Sequence, residues 1–320
     1  GHWPLRATVW CGLLRSVCHR TGQSRRRYTA NWGLLAGLVH WSCHRGCGAL
    51  DINWFSLKFF ITHTMANTTE TRVALVTGGA KGIGAEVSHR LAAAGHHVLI
   101  GDLDVAAATA TAHQLQEAGY RASAIVLDVG HPESIHAAFS QIDQEFGRCD
   151  ILVNCAGIAK VFSFLEFPLE NFLATMNVNV TGTLLCAQAA ARLMLKQRWG
   201  RIVNIASVAG MRAVGSGRTA YGTSKGAVIA LTRQMAVELA EHGITANAVS
   251  PGPVDTPMTQ VLHTQKFREE YSKAIPMNRY GTCGEIASAV MYLVSDDARY
   301  VTGISMPVDG GFLASGARGL

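Results

Sequence analysis

From Val73 onward the chain alternates short apolar runs with longer amphipathic stretches, and that alternation leaves few folds open. The runs at 73–77, 97–102, 122–127, 151–154, 201–206, 244–249 and 304–308 have the length and β-branched content of strands. Between them, residues 82–94, 105–118, 132–146, 179–198, 221–242 and 284–295 carry helical spacing. Strands that alternate with helices need crossover connections, so they pair in parallel and are covered on both faces. Right-handed crossovers then predict a doubly wound α/β sheet, a Rossmann fold. No composition break, repeat or low-complexity tract interrupts residues 65–320, so one domain is expected there. The polar, charged segment 258–275 predicts a small helical lid over a site.

Residues 1–64 read as foreign to this pattern. They hold eight Lys or Arg against one acid, Asp51, a net +7 in a chain whose total is +6, which leaves the main body at −1. A basic surface for nucleic acid or membrane is therefore not expected on the main body. Five of the six Trp fall in this leader and none of the nine Met, the first being Met65. Three readings compete: an upstream or artificial extension with Met65 as the natural start, an Arg-rich targeting segment, or a metal-binding piece around Cys43-His44-Arg45-Gly46-Cys47. The spacing of those Cys and His matches no zinc pattern, and no metal site is expected in the main body. Disorder is expected over 1–64, with local helix in short apolar pieces such as 34–40. Cys149, Cys155, Cys186 and Cys283 lie in apolar or Gly-rich segments without paired spacing, which reads as reduced thiols in a reducing, cytoplasmic compartment. No run of eighteen apolar residues occurs, so no membrane span is expected.

Thr77-Gly78-Gly79-Ala80-Lys81-Gly82-Ile83-Gly84 follows the first strand and opens the first helix. Glycines there let the backbone approach a pyrophosphate, and the helix start offers free N–H groups. A Gly-rich run can also be a plain tight turn, and the strand–loop–helix context is what favours phosphate. Asp102 ends the second strand, where a carboxylate can accept from both ribose hydroxyls of NAD and repel the 2′-phosphate of NADP. It could instead cap the next helix, although Asp104 is nearer that start. Lys81 points the other way, toward a 2′-phosphate. Asp128, with Val129, and Asn154, with Ala156 and Gly157, lie at the ends of the third and fourth strands, where such folds bind ligands.

Tyr221 and Lys225 are four apart on a predicted helix, so they share a face. An ammonium there lowers a phenol that would otherwise titrate near 10. Tyr221 can then take an alcohol proton while hydride leaves carbon. Ser207, at the end of the fifth strand, can donate to the developing oxyanion.

In these motifs the sequence resembles the short-chain dehydrogenase/reductase family over essentially all of residues 70–313. The likeness rests on 77–84, Asp128, Asn154-Cys155-Ala156-Gly157, Asn179, Ser207, Tyr221, Lys225 and Pro251-Gly252, in family order. The resemblance implies that Asn179 holds a water in a proton relay with Lys225, and that Lys225 also bonds the nicotinamide ribose. It implies that Pro251, Gly252, Val254 and Thr256 border the nicotinamide. It implies a homotetramer or homodimer formed through the long helices, with Val308-Asp309-Gly310-Gly311 as a subunit contact. Two features depart from the family: Cys155 replaces the usual second Asn, and the interval from Ser207 to Tyr221 is one residue longer than the commonest spacing.

The expected activity is hydride transfer between NAD and a secondary alcohol or ketone, with a polyol, sugar or hydroxy compound as substrate. An NADPH-dependent 3-oxoacyl-acyl-carrier reductase is the alternative, opposed by Asp102 and by His242 where those reductases carry a basic residue. A catalytically silent dinucleotide sensor is a third reading, opposed by the joint presence of Ser207, Tyr221 and Lys225. Lys160, Arg212 and Arg218 lie near the predicted pocket mouth, where they could favour an anionic substrate or be simply solvated.

Overall fold

The computed structural model describes residues 71–315 together with Val39–His40 and Asp51–Ile52. The chain divides into two units, Gly1–Thr69 and Glu70–Leu320. In the first, Val39–His40 pairs antiparallel with Asp51–Ile52. The last two residues of the 34–40 piece, where local helix is expected, are strand instead, paired with a segment that local periodicity does not reach. The other expectations for 1–64 lie outside the described residues.

The second unit contains seven parallel strands: β1 (Val73–Thr77), β2 (His97–Asp102), β3 (Ala122–Val126), β4 (Ile151–Asn154), β5 (Gly200–Ile205), β6 (Ile244–Pro251) and β7 (Ser305–Val308). They lie in the order β3-β2-β1-β4-β5-β6-β7. The helices are α1 (Gly82–Ala93), α2 (Val105–Glu117), α3 (Pro132–Phe146), α4 (Leu169–Met176), α5 (Gly182–Leu195), α6 (Thr219–Leu239), α7 (Pro257–Leu262), α8 (Gln265–Ala274) and α9 (Cys283–Val294). This is the doubly wound sheet expected, with strand order reversing between β1 and β4.

Every side chain of β1 is buried because helices cover both sheet faces. Ala74 and Val76 pack with Val87 and Leu91 of α1 and with Ile286, Val290 and Leu293 of α9. Val73 and Leu75, on the other face, pack with Phe139 and Ile142 of α3 and Ala187, Ala190 and Met194 of α5. Polar caps start the helices where the chain must leave the sheet. Asp104 accepts from Ala107 N–H at 3.1 Å before α2, and Thr282 forms a capping box with Glu285 before α9.

The helix expected over 179–198 starts earlier. α4 runs into a π-turn, Asn177–Thr181, and then into α5. The combined stretch Leu169–Leu195 is long and apolar enough to cross a membrane by length and composition alone, and half of its most apolar window is buried. Much of its apolarity is accounted for by the α5 face packed on the sheet, which carries Cys186, Ala190, Leu193 and Met194. β6 also runs two residues beyond expectation, through Pro251, whose missing N–H matters little at a strand end.

The lid forms as α7 and α8. The chain leaves β6 and returns through a short parallel neck, in which Gly281 N–H donates to Pro253 C=O and Asp255 N–H donates to Gly281 C=O, both at 2.9 Å.

Candidate active site

A cleft of about 540 Å³ opens at the carboxyl ends of the central strands, beneath the lid. At one end lies the glycine loop. Gly78 has φ +63°, and a Cβ there would fall 2.9 Å from Ala156 Cα, so only glycine lets the loop pass this close to β4. Gly82, at φ +56°, makes the second turn into α1. Gly84 has a different part: a Cβ on it would strike the Gly78 carbonyl, so it allows α1 to pack against its own loop. Thr77 Oγ1 ties the two strand ends, accepting from Cys155 and Ala156 N–H at 3.1 Å each. A glycine-lined cradle at a helix start, open to the cleft, fits a dinucleotide pyrophosphate.

Asp102 faces this cleft and also braces the loop. Its carboxylate accepts from Ala80 N–H at 3.1 Å and Asp104 N–H at 3.0 Å. Lys81 is held by Asp104, with Nζ 2.7 Å from Oδ2. Asp128 accepts from Gly130 N–H at 2.8 Å and lies 2.9 Å from His131 Nδ1, and its neighbour Val129 also lines the cleft.

At the other end stand Ser207, Tyr221 and Lys225. β5 delivers Ser207 and α6 delivers the other two from its first two turns. Lys225 is buried and donates from Nζ to Ile205 C=O at 2.7 Å, with Nζ 5.7 Å from the Tyr221 ring centre. Burial lowers Lys225 to about 8. Burial also raises the Tyr221 phenol above its ordinary value, against the Ser207 hydrogen bond and the Arg218 charge, which lower it. Cys155, also in the wall, is pushed up by burial to about 12, against the pull of Lys225, so it remains a thiol at neutral pH.

Gly78, Lys81, Gly82, Ile83, Asp102, Asp128, Val129, Ala156, Gly157, Ser207, Tyr221, Lys225, Pro251, Gly252, Val254 and Thr256 all line the cleft. Asn154, Asn179 and Gly84 do not. Asn154 is buried between strands, donating to Asn204 Oδ1 at 2.9 Å. Asn179 lies on the π-turn with its amide engaged at both ends. Oδ1 accepts from Ile158 N–H at 2.8 Å, and Nδ2 donates to Ile158 C=O and Ser224 Oγ at 3.0 Å each. It clamps the strand-end loop beside Gly157, where a Cβ would meet Asn179 Oδ1 at 3.2 Å and Lys225 Nζ at 3.5 Å. Of the three mouth cations, Arg218 lines the cleft whereas Lys160 and Arg212 do not. Sequence reasoning missed His263 and Tyr271, which the lid brings into the wall; only the expectation of a lid pointed toward them.

Residues 78–313 match a family described as enoyl-(acyl carrier protein) reductase. The chain is 39% identical over 241 residues to a 3-oxoacyl-[acyl-carrier-protein] reductase of Aquifex aeolicus, covering 75% of this chain and 96% of that one. It is 40% identical over 252 residues to a 2-(R)-hydroxypropyl-CoM dehydrogenase of Xanthobacter autotrophicus, covering 76% and 99%. A crystal structure of a gluconate 5-dehydrogenase from Burkholderia cenocepacia, in complex with NADP and tartrate, superposes with a TM-score of 0.74 at 33% identity, covering 77% and 96%. Fold and relatives together define an oxidoreductase built on a dinucleotide-binding sheet. The chain belongs to the short-chain dehydrogenase/reductase family.

Proposed function

We propose that the protein transfers a hydride between NAD(H) and a secondary alcohol or its ketone, with Tyr221 exchanging the proton. The observation that carries this reading is the convergence of Ser207, Tyr221 and Lys225 in one cleft whose far end is the glycine cradle. When bound, the nicotinamide supplies the hydride acceptor or donor. In oxidation the alcohol O–H proton passes to the Tyr221 phenolate as the C–H bond yields its electron pair, and the carbonyl forms. Ser207 donates to the substrate oxygen and holds it against Tyr221. Lys225, anchored on Ile205, places a cation beside the phenol and favours its ionised form. Asn179 ties the Ile158 loop to Ser224, the residue before Lys225.

NAD is favoured by Asp102 in the cleft wall and by the engagement of Lys81 with Asp104. NADPH-dependent reduction of a 3-oxoacyl thioester is the second reading, favoured by the names of the acyl-carrier relatives and by the NADP in the gluconate dehydrogenase structure. Cytoplasmic location is supported by four free cysteines among the described residues. Assembly as a homotetramer or homodimer is the reading that membership of the short-chain dehydrogenase/reductase family supports. The test is a panel of secondary alcohols and 3-oxoacyl thioesters with both cofactors, followed by absorbance of the reduced nicotinamide. Turnover of alcohols with NAD is expected. A preference for thioesters with NADPH would select the second reading.

A further inference from the structure

Arg218 stands in the cleft wall three residues before Tyr221, at the start of α6. Its guanidinium donates to His263 Nε2 at 2.9 Å. That nitrogen must therefore be an acceptor, which leaves the imidazole proton on Nδ1, 3.0 Å from Tyr280 Oη. His263 is neutral in this arrangement, and burial followed by the charges of Arg218 and Arg268 holds it down to about 4. The neighbouring cations are otherwise disposed. Arg268 is 3.2 Å from the Asp255 carboxylate, and exposed Arg212 lies over the Phe312 ring. Among the described residues, Arg218 has no carboxylate within ion-pair distance; its partner is an uncharged ring. The surrounding wall is apolar, with Val208, Val214, Met258 and Leu262. A partly buried guanidinium in such a wall, without a counter-charge, offers an incoming anion charge-assisted hydrogen bonds.

We propose that Arg218 determines substrate specificity by binding an anionic group, a terminal carboxylate, sulfonate or phosphonate-type oxygen cluster, on the end of the substrate remote from the reacting carbon. The inference rests on the reading of Ser207 and Tyr221 as the pair that holds the substrate oxygen. Arg218, the N-cap of α6, and Tyr221, three residues on, line the same cleft, and the Arg218 charge acts on the Tyr221 phenol, so a short carbon chain separates the anion from the reacting oxygen. The planar fork suits paired oxygens, and only one of its arms is spent on His263. His263 sets the orientation of that fork as a positioning residue.

The test measures binding of ketones to the full-length protein saturated with NAD, a pairing that cannot turn over. 4-Oxopentanoate, 3-oxobutane-1-sulfonate and 3-oxobutylphosphonate are compared with neutral 2-pentanone by calorimetry. At least one anionic ketone should bind about tenfold or more tighter than 2-pentanone, the scale of a well-made bond to a charged group. Arg218→Ala should erase the difference, and Arg218→Lys should keep part of it. His263→Glu, which brings a carboxylate to Arg218, should erase it with the arginine in place. NAD affinity, measured on each variant, should hold throughout. No preference in the wild type, or a preference that survives Arg218→Ala, overturns the proposal. Turnover of neutral ketones without anion preference overturns this proposal alone. Anion preference without turnover of any ketone by NADH would instead overturn the hydride-transfer reading.

Discussion

Lys81 Nζ lies 2.7 Å from the carboxylate of Asp104, two residues past Asp102 at the end of β2. The pairing raises the lysine and lowers the acid from their ordinary values, chiefly through the hydrogen bond between them. It leaves Asp102 to face the cleft with no ion pair to a basic side chain among the described residues. The wild type should favour NAD over NADP by at least about tenfold in kcat/KM, or 1.4 kcal/mol. Asp104→Asn keeps a helix cap but frees Lys81, and should narrow that ratio by improving NADP. Asp102→Ala should weaken NAD and also loosen the loop that it braces through Ala80. Steady-state kinetics with both cofactors decide the matter, and an NADP-preferring wild type would remove Asp102 from the argument.

Tyr221→Phe keeps the ring and removes the proton-exchanging hydroxyl. A loss of about a hundredfold or more in kcat is expected, the usual scale for a general acid–base group. NAD affinity by fluorescence titration should stay within about twofold, a change of about 0.4 kcal/mol. Turnover near the wild-type rate would end the mechanism.

Lys225 gives a stability signature with a definite sign. Its folded value of about 8 lies below the ordinary 10.5. Between those values the unfolded chain binds more protons than the folded one, so the lysine makes stability rise with pH across that window. Below about 8 both states are protonated and the full cost of burying the ammonium remains. Thermal melts of wild type and Lys225→Met at pH 7 and pH 10 should show the mutant's relative advantage shrinking as pH rises. An advantage that grows with pH would contradict a buried ammonium here.

Gly78→Ala would place a methyl group 2.9 Å from the Ala156 backbone at a φ of +63°. Both strain and contact must be relieved by moving the loop. Cofactor affinity should fall by about a hundredfold or more while the far end of the cleft is intact, a cost of about 3 kcal/mol. Calorimetric titration with NAD checks this, and unchanged affinity would mean that the cofactor does not use this loop.

The leader is expected to be dispensable. A chain beginning at Met65 should fold, bind NAD and turn over substrate as the longer chain does, given the abrupt change in charge, Trp and Met usage at that residue. Insolubility or loss of cofactor binding after trimming would make residues 1–64 part of the working protein.

Six of the helices were legible because each carries its own period, and the seven strands because they stand as short apolar runs between them. In β1, helices cover both faces, so Val73 to Val76 is apolar without alternation. α4 was not legible because it is only eight residues long: Leu169, Phe172, Leu173 and Met176 recur at helical spacing, but the pattern is too short to mark a helix, and Leu169 and Leu173 are exposed rather than turned toward a core. The π-turn that follows has no sequence period of its own. In the site, motif order gave the residues at strand ends, but not what their side chains touch. Asn154 reads as a ligand-facing residue until β5 is set beside β4 and Asn204 takes its amide. Arg218 and His263 lie 45 residues apart, and only the return of the lid over α6 joins them.

The neck at Pro253 and Gly281 pins both ends of the lid before any of its helices begins. What lies between those residues closes as an excursion from the sheet, and the entropy of such a loop grows slowly, about 0.6 kcal/mol for each doubling of its length. Insertions, deletions and new side chains can therefore accumulate in that excursion with little strain passed to β6 or α9. The residues that line the cleft there, Met258, Leu262, His263 and Tyr271, form an exchangeable cassette on a fixed frame. A lineage built this way can change what it recognises without altering how it folds or how it moves a proton.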